Sequence, residues 1–175
     1  MQATELWHGS RRAVISLGSN LGNRFETLQS AVDALADTPG VQVVAVSPVY
    51  ATEPVGGPEQ PDYFNAVVIV DSTISVRLLL ERGHAIEEAF RRSRTERWGP
   101  RTIDVDVITY GDESSTDPTL TLPHPRAHER AFVLQPWWDV DPAAVLPGYG
   151  SVADLLQRVG GVLRRRDDLE LRLPE

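Results

Sequence analysis

Asp104 and Asp106 sit two residues apart in the run Thr102-Ile103-Asp104-Val105-Asp106-Val107. Ile103, Val105 and Val107 alternate with Thr102, Asp104 and Asp106, the pattern of a strand whose successive side chains leave on opposite faces. The two carboxylates therefore project to the same side. Ionised carboxylates held together repel one another, a bound divalent cation turns that repulsion into attraction, and hard oxygen ligands suit Mg²⁺. Just upstream stand Arg91, Arg92, Arg94, Arg97 and Arg101, and Glu96 is the only acid between Arg91 and Arg101, so mutual pairing cannot account for most of them. Guanidinium groups match phosphate oxygens in bidentate geometry. Carboxylates for metal and arginines for phosphate together point to a metal-nucleotide site. The same spacing recurs at Asp139-Val140-Asp141, where Pro142 follows directly and the context is a helix end or turn, so that pair is expected in a solvated turn.

Several elements must position these groups. Residues 1–11 show no periodicity and read as a loose extension, with Arg11 and Arg12 at the entrance to the first strand. Ala13-Val14-Ile15-Ser16-Leu17 is a largely apolar run ended by Gly18, as a buried strand would be. The loop Gly18-Ser19-Asn20-Leu21-Gly22-Asn23 leads into a helix with an Asn cap. Phe25, Leu28, Ala31, Val32 and Leu35 recur at helical spacing until Pro39-Gly40 stops them. Residues 41–50 form a β-branched strand, 51–61 a loop too rich in Pro and Gly and too long for a tight hairpin, 64–70 a strand and 76–90 a second long helix. With the Asp104/Asp106 strand the order is strand, helix, strand, strand, helix, strand. That is the split β-α-β unit of a ferredoxin-like α+β sandwich, whose antiparallel sheet carries two helices on one face and leaves the other for ligand. Beyond it, residues 120–124 read as a short strand and loop, and 132–138 and 152–159 as additional helical pieces. The charged tail 163–173 suits a helix or an edge strand equally.

Trp98-Gly99-Pro100-Arg101-Thr102-Ile103-Asp104-Val105-Asp106 resembles the signature of the 6-hydroxymethyl-7,8-dihydropterin pyrophosphokinases of folate biosynthesis. The likeness extends through Gly18-Ser19-Asn20-Leu21-Gly22, Gln60-Pro61-Asp62-Tyr63-Phe64-Asn65-Ala66, Leu122-Pro123-His124 and Arg130-Ala131-Phe132, in the family's order, from about Val14 to Trp137. The resemblance implies transfer of a pyrophosphoryl group from MgATP to the pterin's hydroxymethyl oxygen, with AMP released. It implies two Mg²⁺ ions on Asp104 and Asp106, and Arg92 and Arg94 in a mobile loop that acts on ATP. Glu87, Arg92, Trp98, Arg101, His124 and Arg130 are the implied ATP contacts. Gly18, Thr52, Val55, Tyr63, Asn65 and Phe132 are the implied pterin contacts, with Tyr63 and Phe132 on the two faces of the ring and Asn65 reading its polar edge. Glu53 is less usual at its position and is left out. Without the resemblance, Tyr63 and Phe132 read more simply as core, because such rings bury much area.

Composition bounds the alternatives. A chain of 175 residues fits one domain able to bury a core unaided. It lacks cysteine, which removes disulfides and thiolate metal sites and agrees with a reducing compartment. A net charge of −8 argues against general binding to nucleic acid or anionic membranes, although the Arg91 to Arg101 window keeps a small anionic ligand in play. No apolar run approaches the roughly 20 residues of a membrane span, and the polar start Met1-Gln2-Ala3-Thr4-Glu5 lacks the features of a signal peptide. The expectation is a cytoplasmic enzyme, monomeric, with no nucleic-acid or membrane partner. A ferredoxin-like RNA-binding module is one rival, but the aromatic strand signatures of that module are absent. Another metal-dependent nucleotidyl or phosphodiester enzyme is the second rival, and the pterin-pocket residues disfavour it.

Overall fold

The computed structural model describes residues 10–20, 22–53, 62–92, 103–161 and 163–174. Strand β1 (Arg11–Ser19) starts two residues earlier than the apolar run alone indicates, because Arg11 and Arg12 still pair with Ser72 and Asp71. Helix α1 (Arg24–Ala36) begins at Asn23, whose side chain accepts the Glu26 N–H at 3.2 Å. Leu28, Ala31, Val32 and Leu35 make its buried stripe, with Phe25 packed alongside.

The stretch read as one strand over 41–50 is two: β2 (Val41–Val46) and β3 (Tyr50–Thr52). Both pair with the long β4 (Tyr63–Ser72), β2 along one half and β3 along the other. The break falls at Ser47 and Pro48. Proline has no N–H for a ladder, and the Ser47 hydroxyl takes over there by accepting the Val67 N–H at 2.8 Å. Helix α2 (Val76–Arg92) follows, then β5 (Asp104–Tyr110). The sheet order is β5-β1-β4-β3, with β2 also on β4 and all pairings antiparallel. This is the expected ferredoxin-like α+β arrangement, and α1 and α2 cover one face over Ile15, Leu17, Ala66, Val68, Val105 and Val107.

The opposite face differs from expectation. It is not left open along its length: helix α3 (Ala131–Val140) lies on half of it and packs Val133, Leu134 and Trp137 against Val14, Val67, Ile69 and Ile108. Burying each of these large side chains contributes on the order of 2 kcal/mol, enough to fix the helix there. A small hairpin, β6 (Val145–Leu146) and β7 (Gly150–Ser151), and helix α4 (Val152–Arg158) complete this second core. Residues 120–124 hold no strand, only an isolated bridge from Leu122 to Ser115. The charged tail resolves as an edge strand, β8 (Leu163–Arg165), paired with β3. Beyond β8 the chain turns over to the α1 side, where Leu171 is buried and Arg172 and Gln29 exchange hydrogen bonds of 2.8 and 3.0 Å.

Candidate active site

Directly opposed residues of an antiparallel pair share a face, so register assigns every side chain here to one side of the sheet. On β1, Val14 belongs to the core under α3, and Ser16 and Gly18 follow on the same face. On β4 the same face runs Ile69, Val67, Asn65, Tyr63, and on β5 it runs Ile108, Asp106, Asp104. Each strand thus passes from apolar to polar or small near the start of α3. The apolar half is covered, and the other half floors a cavity of about 740 Å³. Its walls come from residues 126 and 129–132 at the start of α3, from Gly160, Gly161 and Leu163, and from Thr52 and Glu53.

Two ends can be told apart. At one, Asn65 is 4% exposed, its Nδ2 donates to Thr52 Oγ1 at 2.8 Å, and its Oδ1 faces Gly18. A Cβ on Gly18 would stand 2.9 Å from that oxygen, so a larger residue would displace the amide. Tyr63, opposite Thr52 across β3 and β4, lines this end too, and Phe132 of α3 also lines the cavity; both are half-buried. The other end carries Asp104 and Asp106, partly exposed, with Arg126 and Arg130 on the wall. The Arg130 guanidinium lies 5.5 Å from the centre of the Phe132 ring.

Glu87 and His124 are not part of the cavity lining but lie close enough to its carboxylates to interact with their charge. Glu87, on α2, accepts the Val105 N–H at 2.8 Å, and burial first, then the charges of Asp104 and Asp106, push its carboxyl above the usual range. Burial holds the His124 imidazole below its ordinary value against the pull of Asp106, with Arg130 and Arg126 adding to the depression. Its Nδ1 accepts the Arg126 N–H at 3.2 Å. A neutral ring accepting at Nδ1 carries its proton on Nε2, which is thereby a donor.

Of the residues expected from sequence, the structure brings Gly18, Thr52, Tyr63, Asn65, Asp104, Asp106, Arg130 and Phe132 onto one cavity, with Glu87 and His124 close to Asp106. Val55, Arg94, Trp98 and Arg101 lie outside the described residues, as does the side chain of Arg92. Ser16, Arg126, Glu129, Gly160, Gly161 and Leu163 also line the cavity without having been expected from the sequence, and Glu53, set aside there as unusual at its position, lines it as well. Ser16 was reachable, since it shares the parity of Gly18. Asp139 is not in a solvated turn: it lies within α3 and accepts from the Tyr50 hydroxyl and, at 3.0 Å, from Gln135 Nε2.

Asp104 and Asp106 suit a hard divalent cation by donor type. Among the described residues no cluster of three or more His, Cys, Asp or Glu forms a ready-made metal cage. Two carboxylates supply part of an octahedral oxygen shell and leave the rest to water and phosphate, the usual manner of Mg²⁺ at nucleotide sites.

A ferredoxin-like sandwich with a cleft that carries an acidic pair, a buried amide and aromatic rings belongs to the class of small-molecule-binding sites. Residues 14–142 match the 7,8-dihydro-6-hydroxymethylpterin-pyrophosphokinase family, and the chain belongs to it. The 2-amino-4-hydroxy-6-hydroxymethyldihydropteridine pyrophosphokinase of Mycobacterium tuberculosis H37Rv is 46% identical over 145 residues, 77% of this chain and 75% of that one. The Mycobacterium leprae enzyme of the same name is 46% identical over 170 residues, 91% of this chain and 85% of that one. The Pseudomonas aeruginosa enzyme is 39% identical over 146 residues, 83% and 90% of the two chains. Among solved structures, Plasmodium falciparum HPPK-DHPS superposes with a TM-score of 0.68 at 14% identity over 85% of this chain and 45% of that longer one, a likeness of fold. Among the described residues no helix is long and apolar enough to cross a membrane.

Proposed function

We propose that this chain transfers the β,γ-diphosphoryl group of MgATP to the hydroxymethyl oxygen of 6-hydroxymethyl-7,8-dihydropterin, giving the pterin diphosphate and AMP. The observation that carries the reading is the change of character along one sheet face, from an apolar half under α3 to the constellation Gly18, Asn65, Tyr63, Asp104 and Asp106. The pterin occupies the Asn65 end. Tyr63 and Phe132 flank its ring, Asn65 and Thr52 meet its polar edge, and Gly18 and Val55 fit against it; aromatic pairs of this kind hold planar heterocycles in offset or edge contact. Asp104 and Asp106 would hold Mg²⁺, two ions in this reading, and the bound metal would supply positive charge to offset that of the phosphates.

The chain's own groups then do the positioning. In this reading Arg92, Arg94, Arg101 and Arg130 would set guanidinium donors against the phosphates, Trp98 would contribute to ATP binding, and His124 would add its Nε2–H. Glu87 braces the β5 backbone between the two aspartates by accepting from Val105. In the reaction the bond between the α and β phosphates breaks, one forms between the hydroxymethyl oxygen and the β-phosphorus, and the hydroxyl proton passes to solvent or phosphate. No side chain is required as a general base. Alignment and charge stabilisation, rather than covalent catalysis, supply the rate. A single chain furnishes all of these groups, which supports a monomer as the working unit. Sheet-face RNA binding is disfavoured because half of that face is buried beneath α3.

The test is to incubate purified protein with ATP, Mg²⁺ and the pterin and to separate the nucleotides. AMP should appear in step with pterin diphosphate and stop on chelation. ADP as product, or AMP formed equally fast without pterin, overturns the assignment.

A further inference from the structure

The family match ends at residue 142, yet part of the cavity wall comes from beyond it: Gly160, Gly161 and Leu163. The register of β8 fixes where Leu163 points. Leu163 opposes Thr52, and Arg165 opposes Tyr50. Tyr50 donates its hydroxyl to Asp139 of α3, so the Tyr50 and Thr52 side chains face α3, and their opposed partners Arg165 and Leu163 share that face. Leu163 thus stands beside the Thr52 hydroxyl that accepts from Asn65. The wall closes on its other flank where a Cβ on Gly161 would lie 3.8 Å from the Ala131 side chain, next to Phe132. The strand is held in place from outside the cavity: Arg164 pairs with Asp62, Arg166 donates its N–H to Val49 O at 2.8 Å, and the Arg166 guanidinium lies 5.2 Å from the Phe64 ring centre. An apolar side chain on a braced strand, set beside the hydrogen-bonded Asn65–Thr52 pair, contributes shape and no hydrogen bond.

We propose that Leu163 is a specificity-determining residue, the apolar stop that limits how much bulk a pterin can carry on the edge read by Asn65 and Thr52. The inference rests on the proposed placement of the pterin and takes the edge that meets Asn65 and Thr52 to be the one bearing the 2-amino group. Leu163 would discriminate against substrates alkylated on that nitrogen, since a methylene that fits or clashes in an apolar pocket changes selectivity about tenfold or more.

The experiment compares 6-hydroxymethyl-7,8-dihydropterin with its 2-N-ethyl analogue as substrates for the wild type, Leu163→Ala and Leu163→Phe, measuring kcat/KM for each pterin and KM for ATP. Leu163→Ala should raise the ratio of ethylated to parent kcat/KM about tenfold, and Leu163→Phe should raise KM for the parent pterin about tenfold, both with KM for ATP unchanged. A ratio unmoved in Leu163→Ala overturns the inference, as does a KM for ATP that moves as far as that for pterin. If Leu163→Phe does not fold, Leu163→Ala decides alone, because it shortens a partly exposed side chain on a strand paired through its backbone. Wild-type AMP formation from the parent pterin is the internal control. If it occurs while the ratios stay flat, only the role of Leu163 falls; if it does not occur, the proposed function falls and this inference with it.

Discussion

Asp104 and Asp106 have the same spacing as Asp139 and Asp141, and the two pairs end in opposite circumstances. On β5 a two-residue step returns to the same face, so both carboxylates of the first pair line the cavity. In a helix a two-residue step turns more than half way round the axis. Asp139 inside α3 and Asp141 at its end therefore cannot converge, and Asp139 is instead committed to Tyr50 and Gln135. Spacing carries chemical meaning only once the period of the element beneath it is known. The first pair is like-charged groups held together for a ligand. In the second, one member ties α3 to β3 and the other does neither job.

The largest effect that sharpens this contrast is on turnover. Asp106→Ala should lower kcat by at least about 10²-fold at saturating Mg²⁺, because developing phosphate charge loses a metal ligand. Its melting temperature should hold or rise, since removing one of two adjacent carboxylates relieves repulsion. A rate loss no larger than that of Asp139→Ala would erase the distinction between the pairs.

Next comes stability. Asp139→Ala should cost about 1–3 kcal/mol in urea unfolding, the penalty for leaving a partly buried donor unsatisfied, while kcat changes less than about twofold. The same bond makes a pH prediction. Burial first, and then the bond to Asp139, raise the Tyr50 hydroxyl to about 12. A group whose folded pKa is raised contributes fully below its unfolded value, about 10 for a phenol, and that contribution is lost as pH climbs through the folded value. Wild type should accordingly lose stability between about pH 10 and 12, and Tyr50→Phe should lose less over that range in parallel urea titrations. Equal slopes would mean that the Tyr50–Asp139 bond does not couple to folding. The smallest effect belongs to Asp141→Ala, within about 0.5 kcal/mol, because the hydrogen bonds of residue 141 to Trp137 and Ala144 are made by its backbone.

What was legible in the sequence followed from local periods. Alternation at 103–107 put both aspartates on one face, the stripe from Phe25 to Leu35 gave α1, and the element order gave the sandwich. The division of the sheet face was half legible. Val14, Ser16 and Gly18 display it in β1 alone, but knowing that α3 covers the apolar half requires the long-range packing of Trp137 on Ile69 and Ile108, which no local pattern encodes. The split of β2 from β3 had a local sign in Pro48. The tail was obscured because Arg164, Arg165 and Arg166 suggest solvent, whereas edge strands commonly carry charge to discourage further pairing. Its anchor, Leu171 beside Gln29, joins positions far apart in sequence.

That anchor has a consequence for the order in which the molecule can be completed. β3 precedes both of its partners in the chain: β4, on one side, follows it closely, while β8, on its outer edge, comes only after residue 162. During synthesis an emerging chain therefore displays an unpaired strand edge until the segment from Leu163 to Arg172 has left the ribosome, and such edges are templates for pairing with other chains. The charged tail is thus a late seal on the sheet, and its three consecutive arginines give the finished edge a surface that a neighbouring chain is poorly placed to extend.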